Sequence, residues 1–135
     1  MKSFKTETKT FMQSLLKGSM FDDFLVRDLE LVSFAKFEIK GPVLWGDLKP
    51  IILYIIKGRE VPKSLKVIFV LDKEKTLELH ENAANFSLNV NFNGEVFLTG
   101  GTSAKTFTLD KTLDYIWESY IISFFKENKI YLEEL

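Results

Sequence analysis

The stretch Leu109–Asn128, LDKTLDYIWESYIISFFKEN, limits what this chain can fold into more than any other. Its apolar residues Leu113, Ile116, Trp117, Tyr120, Ile121, Phe124 and Phe125 recur at spacings of three and four, which stacks them on one face of an α-helix. Lys111, Asp114, Glu118, Ser119, Ser123 and Lys126 take the opposite face. Asp110 suits the N-cap, because its carboxylate can accept from first-turn amides that lack an intrahelical partner. A helix of about four turns with a continuous apolar stripe has to lie on an apolar surface, and the rest of the chain must supply it.

Much of that surface reads as β-structure. Phe86, Leu88, Val90 and Phe92 alternate with Ser87, Asn89 and Asn91, Asn93-Gly94 follows, and Glu95 to Thr99 runs back. Asn-Gly accepts the positive φ angles of a tight turn, so 86–99 is predicted to be a β-hairpin. Leu65 to Leu71, LKVIFVL, has the length and branching of a central strand covered on both faces. From Leu25 to Lys40, Leu29, Leu31, Ala35, Phe37 and Ile39 alternate with Glu30, Lys36, Glu38 and Lys40, which predicts one long half-buried strand ending at Gly41-Pro42.

The remaining segments are short helices and connections. Residues 3–17 read as an amphipathic helix with Phe11, Met12, Leu15 and Leu16 on one side and Gly18 as its stop. Ile51 to Ile56 fits a buried strand or a buried helix by composition. Asp47 as a cap, Pro50 in the first turn and Lys57-Gly58 as a stop favour a helix over 47–57. Asp72 is placed to cap one or two helical turns holding Leu77. Gly100-Gly101-Thr102-Ser103 reads as a bulge or loop between strands. The expected architecture is a single α+β domain over 1–135. It is a two-layer sandwich of an antiparallel sheet of about four to five strands, including the 86–99 hairpin, packed against the long C-terminal helix, with Trp117 where the core is deepest.

Composition removes several kinds of function. A net charge of −1 lacks the cationic excess of a dedicated nucleic-acid binder, so no nucleic acid is expected. With no cysteine, thiolate nucleophiles, disulfides, zinc–thiolate sites and iron–sulfur clusters are excluded. The first residues hold no apolar run of secretory type, and Ile51 to Ile56 is too short to cross a bilayer, so a cytoplasmic location without membrane contact is expected. Aromatic residues make up 14% of the chain, with 13 phenylalanines, which hints that some lie outside the main core, in a pocket or an interface.

Candidate chemistry is sparse. His80 is the sole histidine, with no nucleophile elbow nearby, and reads as a surface residue beside a loop. One histidine cannot make a multi-histidine metal site, so no catalytic residue, metal or cofactor is expected. Gly100-Gly101 would let backbone amides turn toward an anion, yet no Lys-Ser or Lys-Thr pair follows at Walker spacing. Lys49, Lys57, Arg59, Lys63 and Lys66 form a locally basic stretch without the aromatic platform that single-strand binding uses.

Phe24-Leu25 after an N-terminal helix, Trp45 with Leu48-Lys49-Pro50, Lys57-Gly58 with Pro62, the Gly100 to Ser103 segment running into Phe107-Thr108-Leu109-Asp110-Lys111, and Trp117 together resemble a small bacterial family known only as a domain of unknown function. The resemblance spans nearly the whole chain and implies no activity and no site residues. It supports the helix over 47–57.

Two functional readings follow. The first is a non-enzymatic binding or interaction domain, with a protein partner or a second copy of itself. It rests on apolar residues of the parity opposite the core: Val32, Phe34, Ile68, Val70, Val96 and Leu98. The second is a small-molecule-binding protein or enzyme with a pocket between sheet and helices, lined by Trp45, Tyr54, Trp117 and Tyr120 and with Gly100, Gly101, Thr102 and Ser103 at its mouth.

Overall fold

The computed structural model describes residues 2–57 and 61–135. The elements run β1 (Ser3–Thr6), α1 (Thr8–Leu16), β2 (Leu25–Val32), β3 (Lys36–Leu44), α2 (Trp45–Ile56), β4 (Ser64–Val70), α3 (Lys73–Leu79), β5 (Ala83–Phe92), β6 (Val96–Ala104), α4 (Thr112–Glu127) and β7 (Leu132–Glu134). Among the described residues this is an α+β fold with one antiparallel sheet in the order β3-β2-β4-β5-β6-β1-β7. The sheet therefore has seven strands rather than four or five. The extra strands come from both ends of the chain and from one unread turn.

At the start of the chain, residues 3–6 are not the first turn of a helix. Phe4 and Thr6 are buried and alternate with Lys5, and β1 pairs with β6 on one side and β7 on the other. The helix starts only after Glu7, whose carboxylate accepts from the amides of Lys9 at 3.3 Å and Thr10 at 2.6 Å. These bonds hold the Glu7 carboxyl below its ordinary range, the Thr10 contacts contributing most.

The long strand expected over Leu25 to Lys40 is a hairpin. Ser33-Phe34-Ala35 turns the chain, the Ser33 amide donates to the Ala35 carbonyl at 3.0 Å, and Val32 pairs with Lys36. Gly41-Pro42 does not end the second arm, which runs to Leu44. β3 lies at the sheet edge, where the missing Pro42 amide removes no ladder bond.

The hairpin at Asn93-Gly94 closes with one more residue than a two-residue turn. Phe92 pairs with Val96, the Asn93 amide donates to the Glu95 carbonyl at 3.1 Å, and Gly94 takes φ +79°. That extra residue reverses the parity of the returning strand. Val96 and Leu98, expected on the outer face, are both fully buried on the core face. Gly100 to Ser103 form no loop: they continue β6 and pair with Leu88 to Asn85 of β5.

The helix expected over 47–57 is α2, and it begins two residues earlier. Its N-cap is Leu44, which has no side-chain cap bond, so Asp47 does not cap it. The first amides find carbonyls in the preceding loop instead: Trp45 donates to Phe24 at 3.0 Å and Gly46 to Asp22 at 3.1 Å. Lys57 closes the helix in the left-handed region at φ 53°. Gly58 of the expected stop and Arg59 of the basic stretch lie outside the described residues. The Lys49 amine reaches back to the Asp22 carboxylate at 2.7 Å and the Gly18 carbonyl at 2.7 Å, with its side chain only 16% exposed. Lys49 therefore ties α2 to the 18–24 loop and is not part of an open basic surface. Asp72 does cap α3, accepting from the Lys75 amide at 2.8 Å.

The core is strongly aromatic. Phe21 stacks on Phe69 at 4.8 Å, Phe11 on Phe125 at 6.2 Å and Phe86 on Trp117 at 5.1 Å. Each is a ring separation at which offset or edge contacts are favourable. The Trp117 indole donates to the Ser87 carbonyl at 2.6 Å, a direct bond from α4 to β5. The opposite face of the sheet is polar: the cross-strand row Lys5, Phe97, Asn91, Lys66, Glu30 and Glu38 has only one apolar member. No helix among the described residues is long and apolar enough to cross a membrane.

Candidate functional site

Of the eight residues singled out in the sequence, Trp45 and Trp117 are in the interior. Trp45 is fully buried, packs edge-on against Phe69 at 5.5 Å and donates its indole N–H to the Leu15 carbonyl at 2.9 Å. The path from Trp45 to Trp117 is filled by rings. Phe69 meets Phe24 at 5.9 Å, Phe24 meets Phe124 at 5.3 Å, Phe124 meets Tyr120 at 6.2 Å and Tyr120 lies on Trp117 at 5.2 Å. Tyr120 is half-buried as the outer layer of that stack. Tyr54 is on the surface, 80% exposed on the outward side of α2. The phenylalanine excess thus goes largely into this ring-filled core.

Gly100, Gly101, Thr102 and Ser103 belong to a different place. Gly101 faces Ser87, whose hydroxyl oxygen would lie 2.6 Å from a Cβ at position 101. A side chain at 101 would require the Ser87 hydroxyl to rotate aside. Beyond the glycines, Thr102 and Ser103 form one wall of a cleft of about 500 Å³; the segment 107–111 and the first turn of α4 form the others. The Thr102 hydroxyl donates to the Asp114 carboxylate at 2.5 Å, which ties the end of β6 to the start of α4.

The loop over this cleft is anchored at its base. Asn82 clamps it with three bonds: its side-chain amide donates to the Thr106 carbonyl at 3.2 Å, its side-chain oxygen accepts from the Thr106 amide at 3.1 Å, and its carbonyl accepts from the Lys105 amide at 2.8 Å. At the other end Asp110 accepts from the Thr112 amide at 3.0 Å, one of the α4 amides left without an intrahelical partner. The expected capping bond is therefore present, although the residue at the cap position itself is Lys111. That amide holds the Asp110 carboxyl below its ordinary value, with further help from the Thr112 and Thr108 hydroxyls and from nearby His80. Asp110 consequently stays ionised at neutral pH and gives the rim a fixed negative charge.

Between these anchors, Phe107 and Leu109 point outward, 85% and 86% exposed, and Tyr115 on the adjoining turn of α4 is 66% exposed. Three large apolar side chains at one end of the molecule, beside a cleft with carboxylate and hydroxyl walls, form a surface with both apolar and directional contacts to offer. Phe107 and Leu109 were absent from the sequence-based site. The available signal was two large hydrophobes in Lys105 to Leu109, a segment that from sequence reads as a further strand or the continuation of the last one, whereas β6 ends at Ala104. His80 is half-buried at the end of α3, its Nδ1 accepting from the Asn82 amide at 3.0 Å.

Residues 42–133, more than half of the chain, match the model of a family described as a family of unknown function, DUF5721. No curated protein and no solved structure matches the chain. The matched span includes the whole of the cleft and the whole of α2.

Proposed function

We propose, for a chain that belongs to the DUF5721 family of unknown function, a non-enzymatic role in binding, with recognition at the cleft between the end of β6, the segment 105–111 and the start of α4. The observation that carries this reading is the pair Phe107 and Leu109, 85% and 86% exposed on a loop whose two ends are pinned by Asn82 and Asp110. Large apolar side chains held in water on a pinned loop lose little entropy when a partner covers them, which favours their use as anchors. The occupant we favour is a peptide segment of a protein partner, with an apolar side chain against Phe107 and Leu109 and hydrogen-bond donors toward Asp110 and Asp114.

The rest of the architecture supports the role as scaffold. In this reading the helices make one layer over the core face of the sheet. The Trp117–Ser87 bond and the Phe11–Phe125 and Trp45–Phe69 ring contacts are its support. The second reading, a small ligand, is favoured by one feature: a cleft of about 500 Å³ lies within the range usual for small-molecule sites.

Selection of a random-peptide phage library on the immobilised chain tests the proposal. Enriched peptides are expected to lose about thirtyfold in affinity for the double variant Phe107→Ser/Leu109→Ser, as loss of about 2 kcal/mol of anchor contact implies. Both residues are exposed, so the variant should keep its fold. Peptides that bind the variant as well as the parent, or a selection that enriches none, would contradict the reading.

A further inference from the structure

We propose that α2 is a self-association helix that packs antiparallel against its own copy about a two-fold axis passing beside Ile51. This goes beyond the peptide-binding reading and involves a different helix. α2 turns Trp45, Leu48, Ile52 and Ile56 into the core. Its outward stripe, Asp47, Pro50, Ile51 and Tyr54, is exposed, Ile51 to 53% and Tyr54 to 80%. These residues follow each other at three- and four-residue steps and so share one side of the helix. Leu44 and Phe34, 41% and 67% exposed, add to the exposed apolar area.

The occupant is identified by the order of charge along the stripe. It begins with a carboxylate, Asp47, in the first turn and ends with an ammonium, Lys57, at the C-cap, with apolar residues between. At 1.5 Å per residue the two charges lie about 15 Å apart along the axis. Reversing a second copy about the midpoint puts Asp47 across from the partner's Lys57, and Pro50 across from the partner's Tyr54. Ile51 of each copy then lies at the centre. Because a two-fold interface is isologous, both ion pairs form together. A parallel pairing would instead bring like charges together at both ends. Among the described residues neither Asp47 nor Lys57 has an ion-pair partner in its own chain. The Lys57 amine sits 5.4 Å from the Phe34 ring, at the end of the stripe where the second copy's Asp47 would arrive.

Sedimentation equilibrium over a rising micromolar concentration series tests this with the full chain as its own probe. The parent is expected to move from one to two chain masses. Asp47→Lys and Lys57→Asp are each expected to weaken self-association about tenfold, since each sets like charges against each other at both ends of the interface. An equimolar mixture of the two variants is expected to recover the parent affinity, because the mixed pair regains two opposite-charge contacts. Circular dichroism of each variant checks that the fold persists. A parent that stays at one chain mass throughout overturns the proposal. So does a dimer that neither substitution weakens, or one whose mixed variants fail to recover. None of these results bears on peptide binding at the cleft, so the two readings fail separately.

Discussion

Trp117→Ala is expected to lower the stability of the fold by about 4 kcal/mol, in the range that deleting a buried tryptophan costs. The indole is 1% exposed, lies on Phe86 at 5.1 Å and on Tyr120 at 5.2 Å, and donates to the Ser87 carbonyl at 2.6 Å. Alanine would leave a large void between α4 and β5 and would strip a buried carbonyl of that donor. Against a usual total of about 5–15 kcal/mol, this approaches the margin of the native state. Trp117→Phe keeps an aromatic ring in the stack and loses chiefly the bond and some volume, for about 2 kcal/mol. Urea unfolding should show the midpoint falling in the order parent, Phe, Ala with an unchanged slope. The exposed neighbour change Tyr115→Ala should stay within about 0.5 kcal/mol. An alanine variant at position 117 as stable as the parent would mean that α4 does not dock through this residue.

Gly41→Ala is the second substitution with a large expected effect, on the order of 3 kcal/mol. A Cβ at position 41 would lie 1.8 Å from the carbonyl oxygen of Val26 and 2.9 Å from the Val43 amide nitrogen. Both obstacles are backbone, so no side-chain rotation relieves them. The contact falls where the pairing of β2 with β3 shifts register, between Val26 and Asp28. Relief therefore means separating the two strands next to Trp45 and the start of α2. Gly101→Ala offers the comparison, since its Cβ would meet only the Ser87 hydroxyl at 2.6 Å, an atom that can rotate away. Thermal unfolding of the two variants should separate them clearly, with Gly41→Ala much the lower. Equal midpoints would contradict the close approach at Val26.

The parts of the fold that were legible in the sequence are those where one periodicity runs uninterrupted to a clear stop. The stripe through Trp117 and the alternation from Phe86 to Phe92 are of that kind. The failures come from turns that preserve or shift phase. In β2 and β3, Val32 pairs with Lys36, so a three-residue turn returns Phe37 to the face of Leu31, and the alternation passes through Ser33-Phe34-Ala35 without a break. No glycine, proline or asparagine marks that turn. At Asn93-Gly94 the sequence marks the turn but not its length, and a single extra residue puts Val96 and Leu98 in the core. Gly100-Gly101 suggested a break because glycine usually weakens a strand. Here Ser87 across the ladder takes up the space that a side chain would fill.

The candidate site was less legible. Thr102 and Ser103 line a cleft at the end of β6, not the mouth of a pocket between Trp45 and Trp117. Trp45 and Trp117 attract notice as the two tryptophans of the chain, yet Phe69, Phe24 and Phe124 converge between them from β4, the 18–24 loop and α4. A single sequence gives no sign of that convergence. Tyr54, expected to wall an interior pocket, is instead exposed on α2, where it belongs to the proposed self-association stripe.

Amide and indole NMR of the isotope-labelled chain, titrated with a peptide from the phage selection, tests surface recognition most directly. Shift changes are expected at Thr102, Ser103 and the segment 107–114, with the Trp45 and Trp117 indole N–H signals unmoved, because both donors are already bonded to backbone carbonyls inside the core. Changes centred on the two indoles would mean that the ligand enters between the sheet and the helices, and the surface account would be wrong.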